Sequence, residues 1–547
     1  MLLYIVGSRH NASDRVNFRP RKRHLSTLIL ASAIGLCTVF SSLLSQHNKR
    51  LQFTHRNGPG SHDNITSSTR LTTRPSSGKI DDWQATTTPH TESRTEGTNV
   101  RYGDDPTMSD TTPDQKMEAH QKHSVGYEVI AESNQTGRCQ PTRPKPKDVT
   151  RLNTNWQVFA ERDVYISMYS AYFDRRSILN DSSSFVYVNA AAKQLSKSRN
   201  DEAIAIPVRS PYYCQLWYES RPHPDMVVMT FVRNEFLRAI DGVTYSTYTL
   251  ACPIPGGHHR PVPSHVSIVY NRCDPATTYL SVSDASADGE EHEFGICTAV
   301  GFGRLPVDRM VEWFEFHRLL GVTEFNIYSV NMRGLKRVFA HYEDIGVLRV
   351  HATTSPLTSW YVASIRLASQ VVLNDCMMRN RKRYRYVVIV DFDEIMWPNR
   401  PGNFSALLGR VNAAQDVILP CISYTFHNAY HILTFPEDAD QPWYLRTMRF
   451  RFRHPPTPMP AKSKSIVDPR MCIIVYHHAC ILPADPELRP ATVVVDPELA
   501  MSHHYRECPP HLARCDVIPQ RPDDLVLQYK EVLISRVRPI LRKVGLF

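Results

Sequence analysis

The 547-residue chain lacks the phosphate-binding signatures that most nucleotide-dependent proteins carry. No GxxxxGK followed by Ser or Thr occurs, which speaks against a P-loop ATPase. No GxGxxG follows the first strand of its α/β part. GFGRLP (Gly301–Pro306) matches that fingerprint only in part, so a dinucleotide cofactor is not expected. Lys and Arg outnumber Asp and Glu by 64 to 54, but no basic stripe of the kind that binds nucleic acid stands out. The sharpest positive cluster, Arg379–Arg385, runs straight into an apolar segment and reads as the solvated end of a helix.

Long apolar runs are also scarce. One, Leu25–Leu44, is uncharged and follows Arg19, Arg21, Lys22 and Arg23. Twenty residues at ~1.5 Å rise match a hydrocarbon core of ~30 Å. The preceding charges favour a cytosolic amino terminus. A cleaved signal peptide is the rival reading, opposed by the long basic lead. The expectation is a cytoplasmic tail (1–24), a signal anchor (25–45) and a disordered luminal stem (46–150) rich in Ser, Thr and Pro. Asn64, Asn134, Asn180 and Asn403 open glycosylation triplets. Eleven of the twelve cysteines lie beyond Cys37, where an oxidising lumen permits disulfides. Their odd number leaves one free or intermolecular, and Cys508 and Cys515 are a plausible local pair.

Residues 151–290 read as a β-rich accessory domain, with strands such as VYISMYSAYFD (Val164–Asp174) and MVVMTFV (Met226–Val232) between Pro and Gly clusters. From 291 to 520 strands and helices alternate. Phe294–Val300, Phe325–Val330 and Val347–His351 are strand candidates. Val307–Leu320 is an expected amphipathic helix closed by Gly321. Leu335–Tyr342 and Ser359–Arg379 are the next helices, the last with Ile365, Ala368, Val372 and Cys376 on one face. Repeated βα units imply a mostly parallel sheet with right-handed crossovers, the nucleotide-binding half of a doubly wound fold. A carboxyl-terminal helix fills 521–547.

YVVIVDFDEIMWP (Tyr386–Pro398) is the stretch that concentrates chemistry. The run Val387–Val390 reads as a central strand buried on both faces, and it ends in Asp391, Asp393 and Glu394. Acids there sit where open α/β sheets bind ligands. Extended alternation would put Asp391 and Asp393 on one side, with Phe392 turned inward, so that both carboxylates face one hard divalent cation. Solvated acids at a strand end are the plainer alternative. A Cys/His zinc pattern does not fit this stretch. Later histidines cluster as His477–His478 and His503–His504, ready transition-metal ligands or merely hydrogen-bonding groups. Lys462, Lys464 and Arg506 could neutralise a diphosphate.

VEWFEFHRLLGVTEFNIYSVN (Val311–Asn331), QVVLNDCMMRNR (Gln370–Arg381), VVIVDFDEIMWP (Val387–Pro398), KSIVDP (Lys464–Pro469) and HHYR (His503–Arg506), in that order, resemble glycosyltransferase family 92. SAYFDRR (Ser170–Arg176) and ACPIP (Ala251–Pro255) look like the family's amino-terminal part. The resemblance implies a GT-A type, Rossmann-like fold and an inverting, metal-dependent transfer of galactose from UDP-galactose to a glycan, often with a β-1,4 linkage. It implies Mn2+ or Mg2+ at Asp391, Asp393 and His504, with either neighbouring histidine able to match that last position. Asp391, Lys464 and Arg506 would hold the nucleotide sugar. Glu394 or an acid of FPEDAD (Glu437, Asp438, Asp440), with Asp438 the first choice, would take the acceptor's proton. It further implies a type II Golgi membrane protein with a luminal catalytic domain, and leaves a homodimer open. Two other classes stay in play. A glycoside hydrolase would use two carboxylates and no nucleotide. An inactive glycan-binding scaffold of the same fold would not need the intact acids.

Overall fold

The computed structural model describes residues 140–547 apart from residues 163, 177–183, 194–207, 241, 257–260, 285–291, 359–361, 418–419, 460–461, 485–491 and 509–514. The expected tail, membrane anchor and most of the stem, and the acceptors Asn64, Asn134 and Asn180, lie outside the described residues. Among the described residues no helix is long and apolar enough to cross a membrane. The folded part begins ahead of the expected boundary at 150. His223 Nδ1 lies 3.1 Å from the Pro141 carbonyl, and the Thr150 amide donates to Thr277 at 2.8 Å.

The β-rich part holds β1 (Gln157–Glu161), β2 (Val164–Asp174), β3 (Ser184–Lys193), β4 (Val208–Trp217), β5 (Asp225–Ile240), β6 (Val243–Ile254), β7 (His265–Val269) and β8 (Leu280–Asp284). They neighbour one another in the order β2-β3-β6-β5-β4-β7-β8, and β8 returns to pair with β2. The sheet therefore closes into a ring, which removes the exposed edges that invite pairing with other chains. β1 and β8 share one edge of β2, along Val164–Met168 and Ala171–Phe173. The β2–β3 register shifts between Met168 and Ser170. That bulge changes the alternation, so Ile166 and Met168 before it and Ala171 and Phe173 after it all reach one core. A Cys214–Cys252 disulfide links β4 to β6 within that core.

The next segment contains β9 (His292–Cys297), β10 (Gly301–Arg304), α1 (Val307–Leu319), β11 (Val322–Arg333), α2 (Lys336–Asp344), β12 (Leu348–Ala352), α3 (Val362–Asn380) and β13 (Tyr384–Ile389). β12, β11, β9 and β13 lie side by side and parallel, which is third, second, first and fourth in chain order. In such an open sheet the order reverses between the first and fourth strands, and ligands bind outside the carboxyl ends there. Val387, Val388, Ile389 and Val390 are each at most 2% exposed. Val388 and Val390 enter one apolar cluster and Val387 and Ile389 another, the two faces of a central strand. On α3, Ile365, Ala368, Val372 and Cys376 are buried as expected, and Cys376 is disulfide-bonded to Cys297 of β9.

The chain continues through β14 (Glu394–Pro398), α4 (Phe404–Ala414), β15 (Ser423–Phe426), β16 (Asn428–Ile432), α5 (Arg446–Arg449) and β17 (Phe452–Arg453). It ends with β18 (Lys464–Val467), β19 (Cys472–Val475), β20 (Cys480–Pro483), β21 (Thr492–Val495), β22 (Ala500–Arg506), β23 (Arg521–Pro522) and α6 (Lys530–Lys543). β18 adds antiparallel to β13, and β15 and β21 follow it. β14, β22 and β16 form a separate three-stranded sheet. Asn403 caps α4, its Oδ1 accepting from the Ala406 amide at 3.0 Å.

Helix α1 departs from the amphipathic expectation. Glu312, Trp313, Glu315, Phe316 and His317 are buried along with Met310, Val311 and Phe314. The sheet covers one side of α1, and Leu533, Val537 and Leu541 of α6 join the same apolar cluster. The β-ring is tied to the α/β part through a buried carboxylate: Asp375 of α3 accepts from Tyr172 of β2 at 2.6 Å and from Tyr328 of β11 at 2.5 Å. Cys508 and Cys515 are bonded, as are Cys472 and Cys480, while Cys421 keeps its thiol and donates to the Ser423 carbonyl at 3.3 Å.

Candidate functional site

The acids at the end of β13 come together by a turn, not by extended alternation. The chain leaves strand geometry at Val390, and the Glu394 amide donates back to the Asp391 carbonyl at 3.2 Å. This i to i+3 closure carries Asp391, Phe392 and Asp393 around the corner between β13 and β14. Phe392 is half-buried against Trp313, ring centroids 5.4 Å apart. Helix α1 braces the turn from below. Trp313 Nε1 donates to the Asp391 and Glu394 carbonyls at 3.2 and 3.1 Å, and Arg309 Nε donates to the Phe392 carbonyl at 3.1 Å. Arg309 and Trp313 stand four residues apart, one turn of helix, so both face the acid turn.

Side chains from two later strands complete the group. Lys464, the first residue of β18, places Nζ 2.8 Å from Asp391 Oδ2 and 2.9 Å from Glu394 Oε2. His504 of β22 pairs with Glu394 across β14. Its Nδ1 lies 3.1 Å from Glu394 Oε1 and its Nε2 3.2 Å from Asp393 Oδ2. Nε2 has no hydrogen-bond partner among the described residues. Arg309 adds a cation 3.8 Å from Asp393 Oδ2. Acidic and basic side chains thus alternate through Asp391, Lys464, Glu394, His504, Asp393 and Arg309.

The electrostatics follow from that alternation. Burial alone would raise the Asp391 carboxyl, but Lys464 outweighs it and holds the acid below its usual range. Asp393 is opposed by burial in the same way and is held well below by His504 and Arg309. Glu394 goes the other way: burial raises it, Lys464 and His504 only partly offset this, and the two neighbouring aspartates add to the rise. Lys464 is pushed down by burial and up, further, by Asp391 and Glu394. A lysine at 4% side-chain exposure therefore stays an ammonium.

The residues suit a hard divalent cation. Asp391 and Asp393 each meet their ionic partners through Oδ2. Two carboxylate oxygens beside a buried, unsatisfied imidazole nitrogen make a donor set compatible with Mn2+ or Mg2+. Of the two neighbouring histidines, His504 is the one brought to the acids; His503 projects to the other face of β22. His478 is taken up by the Ser463 carbonyl at 2.5 Å, while His477 lies near enough to Asp391 to help lower its pKa.

The remaining expected residues are placed as follows. Glu394 is 1% exposed with both oxygens engaged, one by Lys464 and the Asp391 amide and the other by His504. Asp438 is not among this group. It pairs with Arg451 at 2.9 Å and accepts from Gln441, and Glu437 pairs with Arg449 at 2.6 Å. Arg506 ends β22 with its Nε buried and without a partner among the described residues. Arg309, Glu312 and Trp313 were not anticipated. A small cleft, open to solvent, lies beside Asp393, lined by Arg309, Glu312, Trp313, Arg446 and Thr447 among others. Glu312 accepts from the Arg446 and Thr447 amides and the Thr447 hydroxyl at 2.6 to 3.0 Å, and burial still lifts it to about 7.

The charge cluster lies at the carboxyl edge of parallel strands in the α/β part, where open sheets of this kind bind ligands. Residues 292–530 match the model of Glycosyltransferase family 92, and the match supports assigning that part of the chain to the family. The match starts at β9, so the SAYFDRR and ACPIP segments of the β-ring lie outside it. The family is one of glycosyltransferases, which implies binding of a sugar donor and an acceptor. No curated protein matches the chain. Among solved structures, one described as "Crystal Structure of a Mycobacterial Protein" is similar at 10% identity over 46% of this chain and 75% of that chain. Its TM-score of 0.21 is too low to carry an argument.

Proposed function

We propose that the chain is a metal-dependent inverting glycosyltransferase of GT-A type that moves galactose from UDP-galactose to a glycan, with a β-1,4 linkage. The observation that carries the reading is the charge cluster at the end of β13, inside the stretch that matches the family 92 model. Galactose and the linkage rest on the family resemblance. A Golgi location rests on the family resemblance, and type II topology on Leu25–Leu44 and the charges before it.

Asp391, Asp393 and His504 would hold Mn2+ or Mg2+, which would supply Lewis-acid stabilisation of the departing diphosphate. The protein's own groups prepare that site. Lys464 keeps Asp391 ionised and Glu394 in place, and Arg309 keeps Asp393 ionised. Arg506 offers an unpartnered guanidinium Nε to a donor phosphate. Glu394, closed in by its partners, positions Lys464, His504 and the Asp391 amide. Inversion requires one displacement and a base at the acceptor hydroxyl. Asp438 remains the acid we propose for that step. Arg451 keeps it partnered, and its segment leads into α5, whose Arg446 and Thr447 border the cleft beside Asp393.

The test is a donor screen of the purified protein against UDP-sugars and glycan acceptors, with manganese and with chelator. Manganese-dependent transfer from UDP-galactose is the expected result. Glycan cleavage that needs neither nucleotide nor metal would replace the transferase reading with a hydrolase.

A further inference from the structure

His503 and His504 are neighbours on a strand and project to opposite faces. His504 faces the acids. His503 faces His431 of β16 and Asp523, one residue past β23. These side chains are 0%, 0% and 3% exposed, and one ligand atom from each lies within 4.8 Å of the other two. His431 Nε2 is 3.0 Å from His503 Nδ1, which is 3.7 Å from Asp523 Oδ2.

We propose that His431, His503 and Asp523 bind a divalent transition-metal ion of the zinc class, at a structural site separate from the one at Asp391 and Asp393. Two imidazoles and a carboxylate are donors that zinc accepts. Donors ~2.0–2.1 Å from one tetrahedral ion stand roughly 3.3 Å apart. The two separations of 3.0 and 3.7 Å bracket that value.

The surroundings are those of an oriented ligand set. His431 Nδ1 donates to the Phe450 carbonyl at 2.7 Å, which leaves the Nε2 lone pair facing His503. Trp397 stacks on His503, centroids 3.4 Å apart and planes 9° from parallel, and so fixes its ring. Arg453 Nε holds Asp523 Oδ2 at 2.8 Å. Asp523 Oδ1 is buried without a partner among the described residues. Buried polar atoms left unpaired cost stability and mark where an ion or water is held. The ion would tie β16, β22 and the segment leading to α6 together, and with them the strand that carries His504. The proposal does not depend on the donor sugar or on catalysis.

The test is metal analysis and thermal melting of the full-length protein, purified in detergent without chelator after zinc supplementation. About one zinc per chain is expected, retained when Asp391→Asn and Asp393→Asn are combined. Asp523→Asn and His431→Gln should each lower zinc affinity by at least ~10-fold, the scale of losing a supporting group in a metal site. Chelator should lower the melting temperature of the wild type and of the combined aspartate variant. Less than about 0.1 zinc per chain in the wild type would overturn the proposal, and so would zinc lost only with the two aspartates. Should Asp523→Asn or His431→Gln fail to fold, the wild type and the aspartate variant still decide the matter.

Discussion

Among the described residues, the β-ring buries one side chain with a full charge, Asp174, and its partners include Arg381 on the neighbouring α/β part. The α/β part buries Glu312, Glu324, Asp375, Glu394, Lys464 and His504, among others. The other polar side chains that the ring buries are neutral, among them Ser246, Thr247, Thr249, Asn189 and Asn234, each with a side-chain atom that finds no partner among the described residues. Buried charges are costly to bring out of water and persist only where partners satisfy them. The difference teaches where the molecule has accepted that cost: at the carboxyl edge of the parallel strands and the elements behind it, and not in the ring.

The sharpest way to break this contrast is at Lys464. Removing one member of a buried ionic group typically costs ~3–5 kcal/mol, because the other is left uncompensated. Lys464→Met would leave Asp391 and Glu394 without their shared cation, so loss of that order is expected by denaturant unfolding, together with activity. A change below ~1 kcal/mol, the scale of an exposed pair, would mean that the cluster is solvated and the contrast is not real.

The next effect in size is on turnover. Asp391→Asn and Asp393→Asn keep shape and remove charge. Each should lower transfer by at least ~100-fold, the scale for losing one dominant electrostatic stabiliser. Melts should change little, because both carboxylates keep some solvent contact, at 38% and 19% side-chain exposure. Near-normal transfer by both variants would separate the charge cluster from the chemistry.

Legibility in the sequence follows the same division. The run Val387–Val390 announces a central strand because burial on both faces leaves a local, one-dimensional pattern. The acids after it were visible for the same reason, although a turn and not alternation brings them together. Lys464 and His504 reach them from about 70 and 110 residues downstream. No periodicity reports such a meeting; the KSIVDP and HHYR segments could be assigned only through the family resemblance. Arg309 and Trp313 carry a helical spacing that would suit many helices, and what they face is decided by tertiary packing. Strand content in 151–290 was legible, but ring closure was not, because it rests on β2 meeting β8 across more than 100 residues. The group of His431, His503 and Asp523 is spread over three segments in the same way.

A smaller effect sharpens the contrast through pH. Glu312 and His317 are buried on the same helix, and burial moves them in opposite senses, Glu312 up to about 7 and His317 down to about 4. Between pH 4.5 and 7 the native state holds a proton on Glu312 that the unfolded chain has lost, so this contribution falls as pH rises. Between pH 6.5 and 4 the unfolded chain protonates His317 and the native state does not, so that contribution falls as pH drops. Each slope is about 1.4 kcal/mol per pH unit at most, and where the windows overlap they cancel. Glu312→Gln should therefore lose stability on acidification from pH 6.5 to 5, and His317→Gln should gain it, both relative to wild type. Parallel profiles in all three proteins would show that neither shift exists.

The smallest expected effect lies in the ring. Thr249 on β6 pairs across the sheet with Asn189 of β3 and Val232 of β5. Tyr248 and Leu250 on either side of it point into the ring core, so Thr249 points outward. Ala251, two residues on and on the same face, clusters with Tyr187 and with Met378 of α3. The Thr249 hydroxyl is thus buried on the side that α3 covers, and it finds no partner among the described residues. Thr249→Val keeps the branched shape and removes that hydroxyl. Replacing an unsatisfied group by an apolar one of the same shape is close to neutral or stabilising, so a change within about 0.5 kcal/mol, or a gain, is expected. Unfolding of this variant alongside Lys464→Met would measure both ends of the contrast in one protein. A loss above ~1.5 kcal/mol for Thr249→Val would instead match a hydroxyl that is hydrogen-bonded in solution. The ring would then be satisfying its polar atoms as fully as the α/β part satisfies its charges.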